Sequence, residues 1–219
     1  MQREARGETK VVAPELRITP IDAARMSEAE RTALGPLADR EPLDNVFATL
    51  ARHPRLLQRY VGFGLYILNR STLDPRLREL AILDVAERTG CEYEFAQHAR
   101  LGTAAGLTGE EVDRILDGTG HHGWSDEDVA VLTCVHELID SHVVSSPTWV
   151  SLSSFCNDQQ LMDLVFTVGT YTLLAWALNS FGVQLDDFLV EHPWPPRPNC
   201  APNPTLTGPP GAPHEERTS

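Results

Sequence analysis

Along most of the chain, apolar residues recur three and four positions apart, the period of an amphipathic helix. Polar stop and start signals divide that pattern into segments. Ser27-x-x-Glu30 and Thr108-x-x-Glu111 have the form of capping boxes, in which a hydroxyl and a carboxylate satisfy each other's free backbone N–H groups. Asp74-Pro75 sets a cap residue before a proline in the first turn, and Gly90 supplies the stop. Ser125 precedes Asp126, Glu127 and Asp128, an acidic first turn that the helix dipole favours. No convincing two-residue alternation bounded by turn residues is present. The pattern predicts an all-α fold, with helices near 21–35, 42–51, 53–70, 75–89, 91–105, 109–116, 125–141, 146–155, 158–180 and 183–190.

One stretch, LVFTVGTYTLLAWALNSFGVQL at residues 164–185, carries no charge and is long enough to span a bilayer. Its threonines, Asn179, Ser180 and Gln184 argue for a helix buried in the core or a subunit interface instead, as do the acidic flanks Asp163, Asp186 and Asp187. The chain ends differ from the middle. Residues 1–12 are polar, and 192–219 hold most of the sixteen prolines, so both read as flexible tails around a domain at 13–191. Within it, ELAILDVAERT (79–89) and DVAVLTCVHEL (128–138) align at the same offset as GEEVDRIL (109–116) and DQQLMDLV (158–165). This suggests a duplicated helical unit, with one copy at about 45–120 and a degenerate one at about 121–191.

Composition narrows the function. The chain has 219 residues, 42% of them apolar, and a net charge of −13, which opposes binding to nucleic acid and to anionic membranes. Cys91, Cys134, Cys156 and Cys200 are far apart and form no CxxC, so reduced thiols are expected. The polar start, MQREARGETK, lacks the apolar core of a signal peptide, which makes cytoplasmic the default expectation.

The chemistry concentrates in GCEYEFAQH, residues 90–98. On a helix, Cys91, Glu94 and His98 share a face at spacings of three and four. A carboxylate one turn from an imidazole can hold one ring nitrogen and raise the basicity of the other. Glu79, one helix earlier amid the apolar run RELAIL, would need a partner if it points inward. The alternative is plain: such pairs are common on solvated helix faces, and a glycine-bounded cysteine can be a small buried hydrophobe.

The run LRELAILDVAERTGCEYEFAQHARLGTAAGLTGEEV resembles the carboxymuconolactone decarboxylase and alkylhydroperoxidase D-like superfamily, with weaker similarity from about Asn45 to Leu189. The peroxidase branch of that family orders a glutamate, a CxxC and a histidine, and the resemblance puts Glu79, Cys91 and His98 at those positions. Glu94 stands where the second cysteine belongs. A dithiol exchanges electrons through its two sulfurs, so this motif cannot do so by itself. The resemblance therefore points to the decarboxylase-like branch, which needs no cofactor. It also implies an alkylhydroperoxidase D-like helical fold and a homo-oligomer, whether dimer, trimer or hexamer.

These readings make His98, Glu94, Glu79 and Cys91 the candidate catalytic residues, with His98 as proton donor or acceptor and Glu94 orienting it. Tyr171, Asn179, His142 and Phe63, the last beside Gly64, are candidates for binding a small-molecule substrate, while Trp176 on the same helix as Tyr171 is expected in the core. The thiolate, carboxylates and imidazole could suit zinc, but the spacing matches no standard zinc motif, so no metal is expected. His121-His122 reads as a polar connector. The expected activity is that of a cofactor-independent lyase or isomerase acting on a small organic acid or lactone. The alternatives are a thiol-dependent peroxidase using Cys91 and a non-catalytic ligand-binding oligomer.

Overall fold

The computed structural model describes residues 15–116 and 122–191, which form ten α-helices and two short 3-10 helices. The expected tails, His121 and Cys200 lie outside the described residues. The helices are α1 (Glu28–Leu34), α2 (Asn45–Leu50), α3 (Pro54–Arg70), α4 (Pro75–Thr89), α5 (Glu92–Ala104), α6 (Gly109–Leu116), α7 (Asp126–Ser141), α8 (Ser146–Ser153), α9 (Asp158–Phe181) and α10 (Asp187–Glu191).

Their ends follow the capping chemistry. Ser27, Ser125 and Asn157 each close a full capping box, and Asp74 accepts from the N–H groups of Arg76 and Leu77. The helix expected over 21–35 is broken: Ala23–Arg25 forms a short 3-10 turn, and Ser27, extended as a cap must be, restarts the chain as α1. The last helix is likewise shorter than expected, because Asp186 turns its side chain back to the N–H of Asn45 and the hydroxyl of Tyr93.

Helix α4 is the axis of the fold. From Glu79 to Ala86 every residue is buried, since α5, α6, α7 and α9 all pack around it. One apolar cluster joins α4 to α7, α8 and the first half of α9 through Leu80, Leu83, Val131, Val135, Leu164 and Val168. A second joins the N-terminal helices to the start of α5 and the end of α9, through Leu34, Leu57, Cys91, Ala175 and Leu178. The cavity described below opens at the seam between the two.

Helix α9 is long and apolar enough to cross a membrane by length and composition alone, and half of its apolar window is buried inside the protein. Its threonines enter the core without penalty because Thr167, Thr170 and Thr172 donate to the carbonyls of Asp163, Phe166 and Val168 in the preceding turn. Trp176, expected in the core, is 61% exposed, on a surface stripe with Met162, Phe166 and Leu173. The pattern of an uncharged helix cannot tell which apolar face is covered.

Buried Asp163 ties the α3–α4 connection to α9. It accepts from the backbone and hydroxyl of Thr72 at 2.6 and 2.8 Å and from Tyr66 at 3.1 Å. Burial alone would raise its pKa, but these donors outweigh it and hold the carboxyl below its usual range. The stabilisation it gives is therefore present above the unfolded-state pKa and is lost as pH falls through the folded one. In urea denaturation at neutral pH, Asp163→Ala should cost about 2–3 kcal/mol, with the difference from wild type shrinking in acid.

Candidate active site

Two consecutive helices place the charged groups. Gly90 ends α4 in the left-handed conformation, and its N–H bonds back to the last carbonyls of that helix. Cys91 follows directly as the N-cap of α5. This sharp reversal lays α5 back along α4, so His98, in the second turn of α5, meets Glu79, in the second turn of α4. Glu79 Oε2 lies 2.7 Å from His98 Nδ1. The other oxygen, Oε1, accepts from Arg78 Nη2 at 3.2 Å. Glu79 is 1% exposed. Burial alone would push its pKa up, yet His98 and Arg78 more than compensate, and the carboxyl is held below its usual value. An ionised carboxylate only accepts, so the Nδ1–H donates to it and Nε2 is left for a molecule in the cavity.

Glu94 lies one turn before His98 on the same face and is also 1% exposed, but its surroundings are the reverse. Neither carboxyl oxygen has a hydrogen-bond partner. Desolvation with no compensating cation raises its pKa well above the usual carboxylate value, so Glu94 is a neutral acid, a donor rather than an acceptor. The site thus holds two buried glutamates with opposite ionisation, a pairing suited to separate acid and base roles.

Both Glu94 and His98 border a cavity of about 400 Å³. Its walls are largely apolar, with Leu65 and Leu68 from α3, Leu101 from α5 and Leu174 from α9. Tyr171 of α9 sets its ring edge-on to the imidazole, with centroids 4.8 Å apart and planes at 85°. Tyr60 of α3 faces the same space. On one side Tyr93 and Gln97 both donate to Asp186 at 2.7 Å, fixing the wall that joins α5 to the segment before α10. At the rim are Arg40, paired with Asp44, and Arg100, stacked on Phe188.

Comparison with known proteins places this arrangement. The carboxymuconolactone decarboxylase family model matches residues 54–143, a span that contains Glu79, Cys91, Glu94 and His98. The fold is shared with solved structures. The alkylhydroperoxidase AhpD core of an uncharacterised peroxidase-related protein from Ralstonia eutropha JMP134 superposes with a TM-score of 0.69 at 17% identity, covering 81% of this chain and 97% of that one. The apo debrominase Bmp8 does so with a TM-score of 0.61 at 14% identity, over 78% of this chain and 92% of that one. Residues 54–143 thus match the carboxymuconolactone decarboxylase family, and the chain shares the AhpD-like fold. A variant of the debrominase in complex with 2,3,4-tribromopyrrole also matches, with a TM-score of 0.61 at 13% identity over 80% of this chain and 95% of that one. At these identities the solved structures speak for the family fold only. No curated protein matches the chain in sequence.

Within this family fold the residues singled out from sequence separate into two groups. Glu79, Glu94, His98 and Tyr171 come together. The imidazole is held by Glu79, however, and not by Glu94 one turn away; a pairing across 19 residues leaves no local spacing signal. Cys91 is buried in the second apolar cluster away from the cavity lining, and burial, with Glu94 adding to it, pushes its thiol up to about 12. Asn179 does not line the cavity: its amide donates to the Thr89 carbonyl at 3.0 Å and fastens α9 to the end of α4. His142 is exposed and ends α7 in the left-handed conformation. Phe63 points outward and packs edge-on against Phe166, whereas its neighbour Gly64 borders the cavity. Among the described residues, no group of three or more His, Cys, Asp and Glu side chains is arranged to hold a metal ion. Tyr60 was the residue that sequence reasoning missed. The available signal was Gly64 one turn later, where a side-chain Cβ would stand 3.4 Å from the Tyr60 ring.

The neutral state of Glu94 has a thermodynamic signature. The folded protein keeps the proton and the unfolded chain releases it above its ordinary value of 4.5. Wild-type stability should therefore be fully supported in acid and decline as pH rises from there to the folded-state pKa. Glu94→Gln has no such proton to keep. Urea denaturation across pH should show the stability of Glu94→Gln rising relative to wild type by about 1.4 kcal/mol per pH unit above that value, then levelling off. A difference that is flat with pH would mean that Glu94 is ionised in the fold.

Proposed function

We propose that this protein is a cofactor-independent enzyme of the decarboxylase-like branch, carrying out general acid–base chemistry on a small organic acid or lactone. The observation that carries the reading is the pairing of opposites on one cavity wall: an imidazole anchored by an ionised carboxylate and, one turn away, a carboxylic acid kept neutral by burial. The cavity volume suits a small molecule, and its apolar walls strengthen every dipole aimed into it.

In an isomerisation, His98 Nε2 removes a proton from carbon next to a carbonyl. The electron pair moves into the carbonyl, Glu94 donates its hydrogen bond to the oxygen that gains charge, and the imidazolium returns the proton to a different carbon. In a decarboxylation, His98 Nε2 first takes up a proton from solvent; the bond to the carboxylate breaks, its electrons enter the conjugated carbonyl, CO₂ leaves, and the imidazolium delivers that proton to carbon. Glu79 supports both by stabilising the imidazolium through Nδ1–H.

A thiol-based peroxide activity finds less support. A reactive cysteine needs thiolate character and access, and Cys91 has neither. Cys134 and Cys156 sit in the other apolar cluster, and all three are free thiols.

The test is a screen of carboxylated lactones, β-keto acids and unsaturated ketones, read by CO₂ release or by absorbance of the conjugated product. With a substrate in hand, His98→Gln and Glu94→Gln should each lower kcat on the order of a hundred- to ten-thousandfold while the helical circular dichroism is kept. Cys91→Ser should stay close to wild type. Full turnover in His98→Gln would refute the assignment, and peroxide consumption lost in Cys91→Ser would favour the thiol reading.

A further inference from the structure

Four tyrosines lie in the chain, and they divide sharply. Tyr66 and Tyr93 donate to the carboxylates of Asp163 and Asp186. Tyr60 and Tyr171 border the cavity, and neither hydroxyl has a hydrogen-bond partner among the described residues. Together with Glu94 they make three neutral O–H groups, brought to one space from α3, α5 and α9.

The acceptors nearby are already taken. Glu79 serves His98 and Arg78, Asp186 serves Tyr93, Gln97 and Asn45, and Asp44 pairs with Arg40 at the rim. Buried donors without acceptors are rare in folded proteins. Glu94, whose two oxygens are enclosed and without a partner, is such a group, and an oxygen in the cavity it borders would complete it. The charge of that acceptor can also be argued. Among the described residues the arginines bordering the cavity are Arg40 and Arg100, both exposed at its rim. Neutral donors in an apolar enclosure are instead matched to an oxygen that starts uncharged and gains charge during reaction.

Resting on the acid–base reading above, we propose that Tyr60, Tyr171 and Glu94 form an oxyanion site for a carbonyl oxygen that gains charge as an enolate forms. The base stands in the right place for this role. The Tyr171 ring packs edge-on against the His98 ring, and both side chains border the cavity. Gly64, one turn after Tyr60 on α3, lies beside the phenol ring. Burial keeps both phenols protonated, with Tyr60 pushed well above the usual tyrosine range and Tyr171 likewise, so they remain donors at neutral and mildly alkaline pH.

The proposal can be tested without the natural substrate. The probe is 4-nitrophenol, whose phenolate imitates an enolate oxygen and absorbs visibly, compared with 4-nitrotoluene, which has the same shape and no oxyanion. Titrated with the full chain, the phenolate should bind at least about tenfold more tightly than 4-nitrotoluene, and binding should lower the apparent pKa of the phenol. Tyr60→Phe and Tyr171→Phe should each weaken phenolate binding about tenfold and leave 4-nitrotoluene unchanged. Retained binding of 4-nitrotoluene shows that the cavity is intact in each variant; should Tyr171→Phe fail to fold, Tyr60→Phe decides. Equal binding of the two probes, unaltered phenolate affinity in the variants, or no phenolate binding at all would overturn the oxyanion site. Phenolate binding as described, with no turnover of any compound in the screen, would overturn the acid–base reading and leave this site standing.

Discussion

The structure turns on the contact between Glu79 and His98. A carboxylate buried in the middle of the most enclosed helix would be untenable alone, since removing a charge from water costs several kcal/mol even after relaxation. The imidazole and the Arg78 guanidinium make it tolerable. That requirement fixes the distance and rotation of α5 against α4, and the glycine turn between them leaves little freedom to do otherwise. Because α9 packs on α4 as well, Tyr171 is brought to the same imidazole from the other side. One buried hydrogen bond thus links the placement of three helices.

Glu94 shows what the same side chain becomes without such partners. It is as buried as Glu79 and one helical turn from the same histidine, yet it meets no cation and no donor. Environment alone separates the two carboxyl groups. The arrangement costs stability, because an unsatisfied carboxyl is retained where a leucine would pack better. Strain of this kind in a cavity wall is a mark of sites kept for their chemistry.

Much of the fold could be read from the sequence because helix boundaries depend on local chemistry. Ser27, Asp74, Gly90 and Ser125 act within four residues of themselves, and each marks an end that the structure shows. The cluster of Glu79, Glu94 and His98 was legible as a set, from position and from family likeness. Its internal pairing was not, because that depends on how two helices cross. The same limit explains Asn179 and His142, whose residue types suit ligands but whose positions serve helix packing and helix termination. It explains Trp176 too: an uncharged helix offers several apolar faces, and only its neighbours decide which is hidden. Tyr60 follows Gln58 and Arg59 with nothing local to mark it, and its place is set by the three helices that enclose a common space.

The position of Cys91 has a consequence for following the molecule's motions. Its sulfur sits at the hinge where α4 gives way to α5, sealed among apolar side chains and 1% exposed. Modification by an alkylating reagent requires that joint to part, and parting it also withdraws His98 from Glu79. Slow labelling of this thiol would therefore time the opening of the helical corner itself, a local event distinct from global unfolding. A residue outside the cavity lining becomes a built-in gauge of how often this wall comes undone.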